Sequence, residues 1–495
     1  MRAFVTQKRT QESTLDVADL SLEQLINRFS YYFRHQHQAI AELVRPNDWN
    51  LIRSLKSIIV SSRVDRFESV VQRQFNEDST LADFVSNYLC YVRSVEFEGF
   101  SNGLDICNGT QSLLAATHIN HSKNFDLLLS VYNPATNIFR RPDAAFFTQS
   151  IQLLSHALVQ FAILADRQRG SNKNEKTSEA ARQMTTTLGM ACIDRSTEEP
   201  NKRRAAFSLA NGLFKIYFFL KNMRLCDTVI KNTSNVINQL ETHYPKSELV
   251  TFHYYLGRMA LYQRRLHKAR DSLKRAFDLC KSDSWKNRRL ILIYLIAASL
   301  PLGILPKSAL IDHFCLGVQF GRLVENLKVG NWPCVVAALD GQRDWFRFKG
   351  IYILLREKLE VICWRNFFVI MANLKNERPG MRLSLTRSVE PARKVFMEES
   401  IDEHDVVCMA SSLIDQGYLK AYVKLGEMIV FGSTLPRISS VGEHMNESGV
   451  TSVPQLAQPM NSQSSIDRAV RPRNFKQGFF HSREMNKVNQ TRRFG

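Results

Sequence analysis

The chain has 495 residues, of which 44% are hydrophobic and 23% are charged, a balance that excludes a chain disordered throughout and indicates folded domains. Lys and Arg number 66 against 47 Asp and Glu, a formal net charge of +19. Such an excess favours an anionic partner, which could be nucleic acid, an acidic protein or a lipid surface.

Cysteine usage and hydropathy bear on the cellular compartment. The nine cysteines are odd in number and none falls in a C-x-x-C pair, so the sequence predicts mostly buried free thiols in a reducing compartment. The most apolar segment, residues 290–305, is shorter than the ~20 residues of a spanning helix. Pro301 and Gly303 also interrupt it, and we interpret it as a buried helix of a soluble protein.

In the first part of the chain, apolar residues recur at three- and four-residue spacing. Residues 84–92 and 146–168 show this pattern, which is typical of amphipathic or buried helices. Strand-like alternation is rare up to about Asp194. The sequence therefore predicts a helical N-terminal half.

The stretch HYYLGRMALYQRRLHKARDSLKRAFDLC, residues 253–280, predicts a helical hairpin. Its small and large residues at Gly257, Ala269, Leu273 and Ala276 have the offsets of a tetratricopeptide-type repeat, in which a small residue lets two helices approach closely. Ala269, Leu273 and Ala276 share one face of the second helix. The hairpin is thus expected to bury one face and to present a basic face to water.

The basic face has two interpretations. From Arg258 to Tyr294 there are eleven Lys and Arg against three Asp. The first interpretation is a solvated outer face, and the second is a flank that meets phosphate or an acidic peptide. The candidate partner-binding residues are Arg264, Arg265, Lys268, Lys274, Arg275, Arg288 and Arg289.

The pattern changes after Arg382. Two helical segments are followed by Gly417 and by two short strand-like runs around Leu425 and Gly426. Helices followed by a terminal hairpin is the order of a winged helix. Past Pro436 the chain is rich in Ser, Asn and Gln, and we expect disorder there.

The last 28 residues carry eight Lys and Arg, one Glu and four Phe. This basic tail is compatible with a nuclear-import signal, with an arm that holds RNA by charge and stacking, or with a passive extension.

Four segments resemble PCI-domain proteins, which are helical-repeat and winged-helix subunits of large complexes. They are residues 209–232, 254–280, 286–306 and 349–368, and they are most similar to the PCI domain-containing protein 2 family. The resemblance implies a mainly α fold, a right-handed tetratricopeptide-like superhelix that ends in a winged helix. The expected organisation is an unmatched helical region at 1–145, repeats at 146–360, the winged helix at 361–436 and the disordered basic tail at 437–495.

The resemblance also implies a function. It predicts a non-catalytic scaffold of the transcription-coupled messenger RNA export machinery, in the nucleus at the nuclear pore. A large export scaffold would bind its winged-helix end, and a small acidic, unstructured subunit would lie along the repeats. This sequence departs from the family pattern at Arg264–Arg265, where an acidic turn is usual, and at Pro391, which would delay or kink the second helix of the winged helix.

No catalytic motif is recognisable in the sequence. It has no glycine-rich phosphate loop, no G-x-S-x-G and no H-E-x-x-H. The close histidine pairs at 35–37 and 118–121 lack a carboxylate or cysteine at ligand spacing. We therefore predict no enzyme, no cofactor, no metal and no small-molecule substrate.

The last helix of the predicted winged helix is acidic. Residues 399–417 contain five Asp and Glu and no Lys or Arg, so phosphate would repel the helix that normally reads bases. Positive charge lies instead on its neighbours: Arg365, Lys375, Arg378, Arg382, Arg387, Arg393, Lys394, Lys420, Lys424 and Arg437. These residues predict backbone contact to nucleic acid without sequence preference.

Three alternatives remain open from the sequence. The cations could pair with the acidic helix or with a partner's carboxylates. The chain could be a purely protein-binding PCI subunit of a signalosome-like assembly. A sequence-specific DNA-binding factor is disfavoured by the acidic helix. Trp364 and Phe368 are expected beneath the wing and secondarily at an interface.

Overall fold

The computed structural model describes residues 21–61, 67–96, 119–170, 173–194, 196, 201–240, 244–374, 382–424 and 428–431. The chain divides into two units, Met1–Asn446 and Glu447–Gly495. The second unit lies outside the described residues, and so does the whole segment 437–495 that was predicted to be a disordered basic tail.

Six helices form the N-terminal region. They are α1 (Leu22–Arg34), α2 (Ile40–Leu43), α3 (Trp49–Ser61), α4 (Glu68–Gln74), α5 (Ser79–Ser94) and α6 (His121–Arg140). The first helix begins with a capping box, in which Ser21 and Gln24 satisfy each other's backbone N–H groups. Asp78 caps α5 in a related way by accepting from the N–H groups of Thr80 and Leu81.

Seven helices follow in the middle of the chain. They are α7 (Thr148–Arg169), α8 (Glu175–Ile193), α9 (Ala206–Phe219), α10 (Arg224–Leu240), α11 (Lys246–Tyr262), α12 (Leu266–Leu279) and α13 (Trp285–Ser299). The apolar segment at 290–305 is interior, as predicted, since every residue from Ile291 to Ser299 is buried.

Seven α-helices and three strands complete the described chain. They are α14 (Ser308–His313), α15 (Arg322–Val329), α16 (Trp332–Gly341), α17 (Arg343–Lys349), α18 (Tyr352–Leu374), β1 (Arg382–Ser384), α19 (Val389–Phe396), α20 (Glu403–Asp415), β2 (Ala421–Lys424) and β3 (Met428–Phe431). The prediction of a mainly α helical-repeat fold is confirmed.

One helical stretch is long and apolar enough to cross a membrane. Among the described residues this is Ala144–Arg169, and 72% of its apolar window is buried inside the protein. Burial of this extent is what the core helix of a folded domain shows. The eight cysteines that the structure describes are free thiols, but the expectation that most are buried is wrong, because Cys315 and Cys408 are exposed and only three are buried.

The hydrophobic residues form two cores that meet at α11. The first contains buried residues from Leu22 to Met259, and the second contains buried residues from Tyr254 to Phe431. The unmatched N-terminal region shares the first core with the repeats. Phe33 of α1, for example, packs edge-on against Phe146 at 6.2 Å between ring centroids. The expected boundary at residue 145 therefore does not coincide with a break in the core.

The predicted hairpin is α11 and α12, which pack along their length. Leu273, Ala269 and Ala276 are fully buried. A Cβ on Gly257 would lie 2.4 Å from Cγ of Leu273 and 3.2 Å from the carbonyl oxygen of Ala269. The absence of a side chain at Gly257 is thus what allows the two helices to approach, as the small-residue pattern predicts.

The C-terminal elements have the topology of a winged helix. The sheet order is β1-β3-β2, with both pairings antiparallel; Leu383 lies opposite Ile429, and Val423 lies opposite Ile429 on the other side. The helix α18 precedes the sheet, and α19 and α20 lie between β1 and β2. Pro391 is the third residue of α19, in the first turn, where backbone N–H groups have no intrahelical acceptor. It therefore neither delays nor breaks the helix.

Candidate nucleic-acid and partner interface

The acidic helix α20 is capped by its own carboxylates. Asp402 accepts from the N–H of Asp405 at 2.9 Å, and Asp405 accepts from the N–H of Asp402 at 3.1 Å. Negative charge at the helix N-terminus is stabilising, which gives these two residues a structural role. The side chains of Asp402, Glu403, Asp405 and Asp415 are exposed, so this helix presents negative charge to solvent.

Five cations around α20 are exposed. Within the described residues none of their side chains forms an ion pair with a carboxylate, including those of α20. These five residues, called here the winged-helix cations, are Arg382, Arg387, Lys394, Lys420 and Lys424. The alternative in which they neutralise the acidic helix of their own chain is therefore not what the structure shows.

The assignment of Arg365 to the nucleic-acid surface is wrong. Its side chain is 8% exposed. Its guanidinium donates to the carbonyl oxygen of Tyr418 and to Oδ1 of Asn366, both at 3.2 Å. Burial lowers the pKa of this guanidinium from its usual value, but the two acceptors hold it in place. Arg365 joins α18 to the segment after α20 and is a structural residue.

Arg393 is largely committed within the winged helix. Its Nε donates to the carbonyl oxygen of Ile401 at 2.8 Å, and its Nη1 pairs with the Glu390 carboxylate at 2.9 Å. Its main role is therefore to link α19 to the segment that leads into α20, and contact with nucleic acid would be secondary. Lys375, Arg378 and Arg437 lie outside the described residues, and their assignment stays a prediction.

The aromatic residues Trp364 and Phe368 are buried, as expected, and Trp364 packs against α19. Trp364 stacks on Phe396 with 3.9 Å between ring centroids and 16° between planes. Phe368 has no exposed surface. Among the described residues, the large apolar side chains that reach solvent at this end are Leu374, Met397 and Tyr422, each at least 60% exposed. Helical periodicity does not reveal these three residues, because each lies at the end of a helix or on an edge strand.

The basic hairpin presents fewer available cations than predicted. Arg289 donates to the carbonyl oxygens of Phe314 and Cys315, and the Arg288 guanidinium lies 4.4 Å from the ring centroid of Phe277. Arg264 pairs with Glu357 at 3.0 Å. The fold thus uses these three, whereas Arg265 and Lys268 are exposed and make no ion pair within the described chain.

Arg264 also accounts for the unusual turn. Its φ is +62°, in the left-handed region that non-glycine residues rarely occupy. The following residue, Arg265, donates its N–H to the carbonyl oxygen of Ala260 at 2.9 Å. The Arg264 side chain pairs with Glu357 in α18, so the turn also contacts that helix. The basic pair is compatible with a tight turn here.

Several curated proteins with similar sequences are named PCI domain-containing protein 2 or its homolog. No family model matches the chain. A PCI domain-containing protein of Schizosaccharomyces pombe is 32% identical over 61% of this chain and 71% of its own length. The PCI domain-containing protein 2 homolog of Dictyostelium discoideum is 29% identical over 76% of this chain and 84% of its own length. The chain belongs to the PCI domain-containing protein 2 family.

Vertebrate relatives match a shorter part. The PCI domain-containing protein 2 of Xenopus laevis is 30% identical over 53% of this chain and 65% of its own length. As a PCI-domain protein, this chain is a subunit of a protein complex. Its relatives are members of a family of non-catalytic scaffold subunits.

Arg258 is a cation that sequence reasoning did not single out. Its guanidinium lies 4.3 Å from the ring centroid of Phe218 and 4.7 Å from that of Tyr294. It makes no ion pair within the described residues, and its one side-chain hydrogen bond there reaches the Tyr254 hydroxyl at 3.3 Å. The side chains of α9, α11 and α13 converge on it. Arg258 therefore holds the junction of the two cores in this PCI protein through aromatic faces.

Proposed function

We propose that this PCI protein is a non-catalytic scaffold subunit of the transcription-coupled messenger RNA export machinery, located in the nucleus at the nuclear pore. Its winged-helix end binds a larger PCI scaffold and contributes a basic surface to nucleic acid. The observation that carries this proposal is the set of winged-helix cations, which are exposed and have no carboxylate partner within the described chain.

The charge arrangement favours contact with the phosphate backbone. A helix that reads bases must enter the groove between two rows of phosphates, and α20 carries only acidic charge. Its flanks carry the cations instead, on β1, α19 and β2. Such a surface supports binding without sequence preference, whose affinity falls steeply with salt.

Two protein partners complete the proposal. The exposed Leu374, Met397 and Tyr422 supply apolar area at the winged-helix end, which suits a subunit interface. A small acidic subunit is expected along the repeats, where Arg265 and Lys268 offer cations. Binding of either partner requires no catalytic group in this chain, which is in keeping with a scaffold role.

The test is charge reversal of three winged-helix cations. We expect Arg382→Glu, Arg387→Glu and Lys394→Glu together to weaken nucleic-acid binding by the purified complex. We also expect the slope of log affinity against log salt to flatten by about 0.7 to 0.9 per lost phosphate contact. Fluorescence anisotropy over a salt series measures both quantities.

The matched control reverses three exposed cations in the N-terminal helices, Arg34, Arg73 and Arg93. It changes net charge equally but leaves the winged helix intact. Equal weakening by the two triple variants would show that only net charge matters. Binding unaffected by the winged-helix variant at low salt would contradict the proposal.

A further inference from the structure

The short helix α17 presents an unusual surface to solvent. Its sequence, RDWFRFK, places Phe346 in the core with no exposed area, while Phe348 is 84% exposed. Gly350, at φ +73°, ends the helix directly afterwards. An aromatic ring exposed to this extent contributes little to the core and leaves most of its surface accessible to a ligand.

The same short helix carries three cations. Arg343 and Arg347 are exposed, and Nζ of Lys349 lies 5.2 Å from the centroid of the Phe348 ring and 5.8 Å from that of Trp345. Neither Arg343 nor Arg347 forms an ion pair with a carboxylate of the described chain. The helix contains one acid, Asp344. Its surface therefore alternates positive charge with an open aromatic face.

This surface is close in the fold to the winged-helix cations. The helix α16 contacts both α17 and α19, which carries Lys394. The one charged side chain of α16 is Asp340, and it is already bound to the Tyr352 hydroxyl and to Arg356. An anionic chain that lies across α16 would thus meet little uncompensated negative charge between the two basic regions.

We propose that Phe348, on the basic helix α17 that also carries Arg343 and Arg347, is a stacking site for an unpaired base of single-stranded nucleic acid. The inference rests on the proposed function and names the class of nucleic acid that the basic surface takes. Stacking on an aromatic ring requires a base whose face is free, which a duplex does not offer, and adjacent cations hold the phosphates on either side. RNA and DNA share this chemistry, since every base has a π face.

The decisive variant is Phe348→Ala in the full chain, within its purified complex. We expect about tenfold weaker binding of labelled single-stranded oligonucleotides of about 15 nucleotides, for RNA and DNA alike. Binding of a duplex of the same sequence should be unchanged. The salt slope should also be unchanged, because no charge is removed. By contrast, Arg347→Glu should weaken binding and should flatten the salt slope by the amount expected for about one phosphate contact.

Two controls separate stacking from other effects. Phe348→Trp keeps a ring and should retain single-strand affinity. Ile353→Ala removes a side chain that is 62% exposed just after the patch but is not aromatic, and it should have no effect. A larger loss of RNA than of DNA affinity in Phe348→Ala would identify RNA as the source of the base. Equal losses of affinity would show that the ring stacks on bases of RNA and of DNA alike.

The failures of this inference and of the proposed function can be told apart. Unchanged single-strand affinity in Phe348→Ala, with weakening in the triple winged-helix variant, would overturn the stacking site alone. Loss of a protein subunit from the Phe348→Ala complex at unchanged affinity would also overturn it, because the ring would then be a protein contact. No detectable binding of either probe by the wild-type complex would overturn both.

Discussion

At the residue scale, surroundings decide what each cation of this basic protein does. Arg365 is buried and donates to two acceptors, Arg258 lies among aromatic rings, and Lys394 is exposed and pairs with no carboxylate that the structure describes. A formal count gives all three the same charge. Only the last is available to an anionic partner, since moving a satisfied guanidinium out of the interior would leave buried acceptors without donors.

The position of Arg365 was in principle visible in the sequence. It lies three residues after Ile362 and four before Val369, both buried, and thus falls on the apolar stripe of α18. The sequence analysis nevertheless assigns Arg365 to the surface, because many cations lie near it in the sequence. Phe348 was missed for the opposite reason, because periodicity places an aromatic residue in the core by default.

Glu248, in the first turn of α11, makes stability depend on pH. Burial raises the pKa of its carboxyl from 4.5 to about 7, and its Oε2 has no hydrogen-bond partner among the described residues. Between these values the folded state binds more protons than the unfolded state, so the free energy of unfolding falls as pH rises through this window and stays lower above it.

Glu248→Gln should remove this dependence. The variant should resemble the wild type near the unfolded pKa and exceed it at about pH 8, by at most about 3 kcal/mol in the free energy of unfolding. Urea unfolding followed by circular dichroism across that pH range measures the difference. A variant that is less stable than the wild type at the upper end would contradict the assignment.

At the element scale, periodicity and small-residue spacing predicted most of what the structure shows. The hairpin of α11 and α12, the apolar helix α13 and the order of helices and strands in the winged helix all follow from local patterns. Partners distant in sequence were not predictable. The stack of Trp364 on Phe396 and the link from Arg365 to Tyr418 depend on how α18 meets elements more than 30 residues later.

Gly257→Ala tests the close approach within the hairpin. The new methyl would fall 2.4 Å from Cγ of Leu273 and 3.2 Å from the carbonyl oxygen of Ala269, so the helices must separate. We expect a loss of about 1 to 3 kcal/mol in the free energy of unfolding, measured by urea unfolding.

The matched control is Gly189→Ala inside α8. A Cβ there meets nothing within 4 Å, and the change should stabilise by up to about 1 kcal/mol through helix propensity. Equal effects of the two substitutions would show that propensity alone, and not the approach of α12, governs position 257.

At the scale of the whole molecule, function follows from what the fold leaves unsatisfied. The described helices bury their apolar faces in two cores that meet at α11. The cations of the winged helix and of α17 remain in solvent, beside exposed apolar side chains such as Tyr422 and Phe348. The proposed scaffold, which binds proteins and nucleic acid together, accounts for both features, whereas a purely protein-binding PCI subunit would have to use these cations for an acidic partner.

The most direct test of this account is affinity purification of the tagged full-length chain from nuclease-treated extract, with identification of the proteins that co-purify. We predict recovery of a large PCI export scaffold and a small acidic subunit, because the winged-helix end and the basic hairpin each offer a surface for one of them. Recovery of signalosome subunits in their place would contradict the export function and would make this chain a PCI subunit of that assembly.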